Sequence, residues 1–379
     1  MKQFKKWPSV LLVAVLLISL LCACAPQDAK PASKDAKVSQ ASEEKTTAEA
    51  EKSAESEEEA QADKENQESK SAANDKKDLK KVDFILDWVP NTNHTGLFVA
   101  KDKGYFEEVG IDLDIKQPPE DSTSDLIINN KAPFGIYFQD SMAAKLSKGA
   151  PLVAVAAIIE HNTSGVVASE ASGIKNPEDL VGKRYGTWND PMELAMLQYL
   201  VESRGGKYED VKLVPNTDAN TTVSIENDMF DSAWIYYAWD GIMAETKGMK
   251  MNFFYFKDYA PVLDFYSPII ISNETYLKEN PDEARAILAA IRKGYQYAIE
   301  HPEEAADILI ANAPELESSR DFVVASQKYL SDKYAENPEN WGEFDPARWN
   351  AFYKWVSEQG IVENPIPENV GFSNEYIAG

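Results

Sequence analysis

From residue 82 onward the apolar residues of the chain fall into two rhythms. Period-two or continuous apolar runs at 82–86, 111–115, 133–138 and 152–159 predict β-strands, and the segments 97–103, 122–130 and 141–147 between them carry the spacing of short helices. Strands alternating with helices predict a mainly parallel sheet covered on both faces. The run at 152–159 resumes at 166–168 to close this series, and a second follows, with strands from Arg184 and at 211–214, 230–235 and 251–256, and helices at 192–203 and 221–227. The run 266–271 reads as a return to the first sheet. Beyond it the chain is mostly helical: Ala284, Ile287, Leu288, Ile291, Tyr295 and Ala298 mark one helix face, and two further helices are expected at 319–333 and 345–359. The prediction is an α/β protein of two lobes with mixed, mainly parallel sheets. Crossings near residues 172 and 267 assign 82–172 plus 268–379 to lobe 1 and 173–267 to lobe 2.

In open α/β folds ligands bind beyond the C-terminal ends of the strands. The first such loop here is Asp87-Trp88-Val89-Pro90-Asn91-Thr92-Asn93-His94, a flat aromatic face beside short polar groups. The plainer reading of that loop is a turn, with Trp88 in the core and Asn91 and Thr92 as helix caps. The third predicted strand delivers Tyr137, Phe138, Gln139 and Asp140 to the same edge, and period-two alternation favours Tyr137 and Gln139 together as pocket residues. In the second series, Trp188 and Asn189 end one strand, and Tyr236, Tyr237, Trp239 and Asp240 end another. If the strand persists, Tyr236 and Tyr237 point to opposite sides, so one of them faces the cleft. Trp234, Trp349 and Trp355 read as core, and His301 as a capping or surface residue. His94 and Asp240 can be imagined as an acid–base pair, but no nucleophile or metal cluster joins them.

The first 81 residues differ in kind. Three lysines precede an apolar run at 10–21, too short for a confident membrane span, which ends in Leu21-Cys22-Ala23-Cys24. That arrangement resembles the lipobox of a bacterial lipoprotein: residues 1–23 would be the signal peptide and Cys24 the lipidated amino terminus. Residues 24–81 are rich in Ala, Ser, Glu and Lys without an aromatic residue, and predict a disordered tether. With Cys22 and Cys24 the only cysteines, neither an internal disulfide nor a cysteine metal site is available to the mature domain. The net charge is −25, and removing +3 before Cys24 and −4 over residues 25–81 leaves −24 on residues 82–379. Such acidity disfavours nucleic acid and free anions and favours a neutral or cationic solute.

The stretch Leu86-Asp87-Trp88-x-Pro90-Asn91-Thr92-x-His94, followed by Ala100-Lys101-x-Lys103-Gly104-Tyr105-Phe106 and Gly110-Ile111, resembles the solute-binding proteins of thiamine-pyrimidine-precursor ABC transporters. Asn162-Thr163-Ser164-Gly165, the run 236–241 and Phe372-Ser373-Asn374-Glu375-Tyr376 resemble the same family. The resemblance covers residues 82–379. It implies a type II periplasmic-binding-protein fold with a hinged cleft, a membrane permease as partner and no cofactor. It places Trp88 and Asn91 in the pyrimidine pocket with Tyr236, Tyr237 and Trp239 opposite, and puts Asp240 where relatives usually have Glu. His94, Tyr137, Gln139, Thr163, Ser164, Trp188 and Asn189 complete the expected ligand set. Fungal enzymes that make the thiamine pyrimidine resemble the chain too, but their active-site His falls at Asp140 and their cofactor lysine near Ile136. The expectation is therefore a lipid-anchored, monomeric receptor on the outer face of a bacterial, Gram-positive-type membrane, binding a formylated aminopyrimidine. Another flat heteroaromatic of riboflavin type, or a pyrimidine-synthesising enzyme, is the alternative.

Overall fold

The computed structural model describes residues 79–118, 123–217 and 220–377, so the signal peptide, Cys24 and nearly all of the tether lie outside the described residues. Two five-stranded sheets organise the fold. The first contains β1 (Lys80–Ile85), β2 (Ile111–Lys116), β3 (Phe134–Tyr137), β4 (Leu152–Ala157) and β10 (Ile269–Asn273), in the order β2-β1-β3-β10-β4. The second contains β5 (Ser164–Ser169), β6 (Arg184–Thr187), β7 (Lys212–Pro215), β8 (Ser232–Tyr236) and β9 (Met251–Tyr255), in the order β7-β6-β8-β5-β9. In each sheet four strands share one direction and one is reversed: β10 pairs antiparallel with β3 and β4, and β5 with β8 and β9. The two reversed strands are the first laid down after each passage between sheets.

That pairing moves the first crossing. β5, expected in lobe 1 with the boundary near residue 172, is hydrogen-bonded in the second sheet, so the chain passes over at 158–163. The polar break that begins at Glu160 between two apolar runs thus marks the passage between the sheets and not an interruption within one lobe. The return passage lies between β9 and β10, and β1 begins at Lys80, two residues earlier than the alternation suggests.

The opening loop is held by a close helix crossing. Helix Thr95–Asp102 lies on helix Pro281–Glu300, which starts with proline in its first turn and carries Asp282 and Glu283 there. A Cβ built on Gly96 would stand 2.3 Å from the Tyr295 ring, and one on Gly294 would stand 2.0 Å from the Gly96 carbonyl oxygen. Only glycine at both places permits this approach. Tyr295 then donates its hydroxyl hydrogen to the Asn93 carbonyl at 2.7 Å, fixing the loop from below. Among the described residues no helix is long and apolar enough to cross a membrane.

Candidate functional site

The C-terminal ends of β1, β3, β6 and β8 carry the candidate residues, and the two lobes meet there. Phe138, directly after β3, stacks on Tyr236, the last residue of β8, with ring centroids 6.4 Å apart and planes 24° apart. Tyr236 continues into Trp234 at 6.2 Å, and Trp234 into Trp188 at 5.7 Å, so an aromatic wall runs from one lobe into the other. The Tyr236 hydroxyl accepts a hydrogen bond from Ser267 in the return passage, at 3.3 Å. Burial raises its pKa well above the ordinary tyrosine value, and the Asp140 and Asp87 carboxylates of lobe 1 raise it further. Tyr236 is therefore the member of its pair that faces lobe 1.

Tyr237 turns the other way. Its ring packs with Phe253 at 4.7 Å and Tyr329 at 5.3 Å, its hydroxyl donates to Glu245, and it opens a π-helical turn, Tyr237–Gly241. Trp239 in that turn meets Phe322 edge-on at 4.6 Å. This is lobe-to-lobe packing onto helix Arg320–Tyr334, reinforced where Ser326 bonds both Thr92 of the opening loop and the Ala238 carbonyl. Asp240 occupies the same turn. Burial raises its carboxyl to about 6, only partly offset by the backbone N–H groups of Tyr236 and of Asp240 itself.

The opening loop divides by role. Trp88 is 62% exposed and packs against no other ring among the described residues. Asn91 is nearly buried and caps the turn Thr92–His94, its Oδ1 accepting from Asn93 N–H at 2.9 Å. His94 is fully buried: Nδ1 accepts from Asn91 N–H at 3.2 Å, so Nε2 carries the hydrogen and donates to Asp87 at 2.7 Å. The imidazole braces the loop from inside, and its ring reaches no surface from which to touch a ligand.

Other expected contacts are committed to the scaffold. Gln139 is fully buried, its Oε1 accepting from Tyr266 N–H at 2.8 Å and its amide donating to the Trp349 carbonyl at 3.3 Å. The alternation that grouped it with Tyr137 stops because β3 ends at Tyr137 and helix Gln139–Leu146 begins; Phe138 faces Tyr236 instead. Ser164 donates to Asn162 Oδ1 at 2.7 Å, and Asn162 ties the two passages together through the Leu263 carbonyl and Asp264. Thr163 is buried, and its carbonyl accepts from Tyr237 N–H at 3.2 Å.

In lobe 2, Trp188 is 49% exposed, and buried Glu193 beneath it accepts from Trp188 N–H at 3.0 Å and from the Thr187 hydroxyl at 2.7 Å. Asn189 adopts a left-handed φ of 62°, a conformation asparagine tolerates, which turns the loop sharply at this edge. Trp349 and Trp355 are buried in the core, as expected. Asp140, which the sequence places at this edge but outside the expected ligand set, is 8% exposed, with its carboxyl raised to about 6, first by burial and then by Asp190 on lobe 2. Its signal in the sequence is a carboxylate close behind the aromatic pair Tyr137-Phe138.

Two lobes with reversed strands after each crossing, meeting at strand ends, define the fold of a periplasmic solute-binding protein. The fold is shared with the periplasmic sulfonate-binding protein SsuA from Methylobacillus flagellatus KT, at a TM-score of 0.61 and 18% identity, covering 80% of this chain and 94% of that one. The model of the NMT1/THI5-like family matches residues 91–305, and the chain belongs to that family. The formylaminopyrimidine-binding protein of Halalkalibacterium halodurans is 30% identical over 310 residues, 80% of this chain and 93% of that protein. The 4-amino-5-hydroxymethyl-2-methylpyrimidine phosphate synthase THI11 of Saccharomyces cerevisiae is 28% identical over 322 residues, 79% of this chain and 88% of that enzyme.

Proposed function

We propose that this chain is the capture receptor of an ABC importer, held at the outer face of a bacterial membrane by lipid on Cys24, and that its solute is a thiamine pyrimidine precursor such as a formylated aminopyrimidine. One observation carries the reading. The strand-end loops 86–94, 137–141, 187–191 and 236–241 contain no lysine or arginine, while they carry the exposed rings of Trp88 and Trp188, the buried carboxylate of Asp140 and the partly buried carboxylate of Asp240. An anion would want a basic partner, whereas a flat ring with N–H donors on its edge gains from aromatic stacking and from carboxylate acceptors. The relation to a formylaminopyrimidine-binding protein supports the same ligand class.

Capture rather than synthesis fits the residues present. Near the place where the resemblance puts the enzymes' cofactor lysine stands Ile136, fully buried in the core, and where it puts their histidine stands Asp140. Mass spectrometry of the small molecule that copurifies with the unlipidated domain tests the ligand. An aminopyrimidine is expected; an isoalloxazine or a sulfonate would overturn the assignment. The Cys24→Ala variant is expected to move from the membrane to the soluble fraction with an unchanged melting temperature, since two or three acyl chains supply the anchor. Continued membrane association would remove the lipid from the account.

A further inference from the structure

Asp140 is the second residue of helix Gln139–Leu146, directly behind the strand end that carries Phe138. It is 8% exposed, and its Oδ1 meets no donor among the described residues. The backbone N–H groups of Ser141 and of Asp140 itself serve the carboxylate on its other side. Its charge is felt by Tyr236 and Asp190, both on lobe 2, so the carboxylate stands where the lobes face each other. The scaffold around it is already committed: Tyr353 donates to the Gln139 carbonyl at 3.0 Å, and both ends of the Gln139 amide are bonded. A buried carboxylate oxygen left without a donor destabilises a fold, and such groups persist where a ligand completes them.

Resting on the pyrimidine reading above, we propose that Asp140 is a second ligand anchor, whose free Oδ1 takes an N–H or ammonium hydrogen from the solute while Asp240 takes another from the opposite lobe. The site would then select rings that present donors at two places, and reject rings whose edges only accept. Two donors taken by carboxylates of different lobes also couple capture to lobe closure, because neither acid alone completes the set.

The Asp140→Asn variant separates an anchor from a scaffold residue by two readouts. The first is the melting temperature of the ligand-free protein. Removing an unpaired buried charge is expected to raise it, whereas a structural carboxylate would lower it when replaced. The second is calorimetric titration with two probes, a formylated aminomethyl-aminopyrimidine and its unformylated parent, which carries an ammonium group. The variant is expected to bind both about 10- to 100-fold more weakly than the parent chain, the loss of a charge-assisted hydrogen bond. Binding of both probes within twofold of the parent chain overturns the proposal, and so does a variant that melts below it. If the parent chain binds neither probe, the pyrimidine reading fails; a lowered melting temperature then still overturns Asp140 as an anchor, because that readout needs no ligand.

Discussion

Asp240 is the residue on which the proposed ligand chemistry turns, and its surroundings now give the expectation a physical basis. Its carboxyl is raised to about 6 by burial within the π-helical turn, so near neutral pH it is an ionised acceptor in a poorly solvated place. A charge-assisted bond to a ring amino group there is worth roughly 1.5–3 kcal/mol, and Asp240→Asn should weaken aminopyrimidine binding about 10- to 150-fold. Calorimetry decides it, since affinity within twofold of the parent chain would take Asp240 out of the pocket. At this scale the chain was legible in types more than in directions. Aromatic and acidic residues at strand ends were visible, but which of two neighbours faces inward depends on where a strand stops. β3 stops at Tyr137, and that stop exchanges the roles of Gln139 and Phe138. His94 misled for a related reason: a histidine in a polar loop looks available, and only the fold shows Asp87 and Asn91 closing on both of its nitrogens.

Elements were easier to read than their partners. The predicted helices and strands fall within a few residues of the observed ones, because amphipathic periodicity and Pro-acid caps are local signals. Sheet membership is not local, and β5 was placed in the wrong lobe because an apolar strand looks the same in either sheet. The helix pair beneath the opening loop offers a test at this scale. Gly96→Ala would put a methyl group 2.3 Å from the Tyr295 ring, where helix, ring and loop are bonded into one unit. Overpacking of this kind costs about 1–3 kcal/mol. The variant should melt several degrees lower and bind more weakly, since pushing Tyr295 aside releases the Asn93 carbonyl that holds the loop carrying Trp88. Unchanged stability would mean that the helices slide apart freely and that the glycine contact does not position the loop.

Across the whole molecule, stability should respond to pH in a sense opposite to that of an ordinary carboxylate-rich protein. Asp140 and Asp240 sit at about 6 in the folded chain against the model-peptide value of 3.8. Between those values the folded state holds protons that the unfolded chain has released, so unfolding becomes easier as pH rises through the window. The penalty is absent below about pH 4 and complete above about pH 6, of the order of 3 kcal/mol for each acid. Relief of self-repulsion in a domain carrying −24 works in the same direction on acidification. Opposing both, Asp264 beside His161 and Arg348, and Asp231 beside Arg184, are held below the usual carboxylate range and give up their stabilisation only as pH falls under about 4. The ligand-free domain should therefore melt highest near pH 4, lower at pH 7.5, and lower again as the pH falls further into the acid range. Scanning calorimetry across that range checks the shape. The double variant Asp140→Asn, Asp240→Asn should flatten the limb between pH 4 and 7.5, because the two raised carboxyls are gone. Saturating aminopyrimidine should flatten it too, by supplying the donors that keep both acids ionised at no cost. A double variant with the parent's slope would assign the limb to surface repulsion and leave the two acids without the buried, ligand-ready character on which the cleft depends.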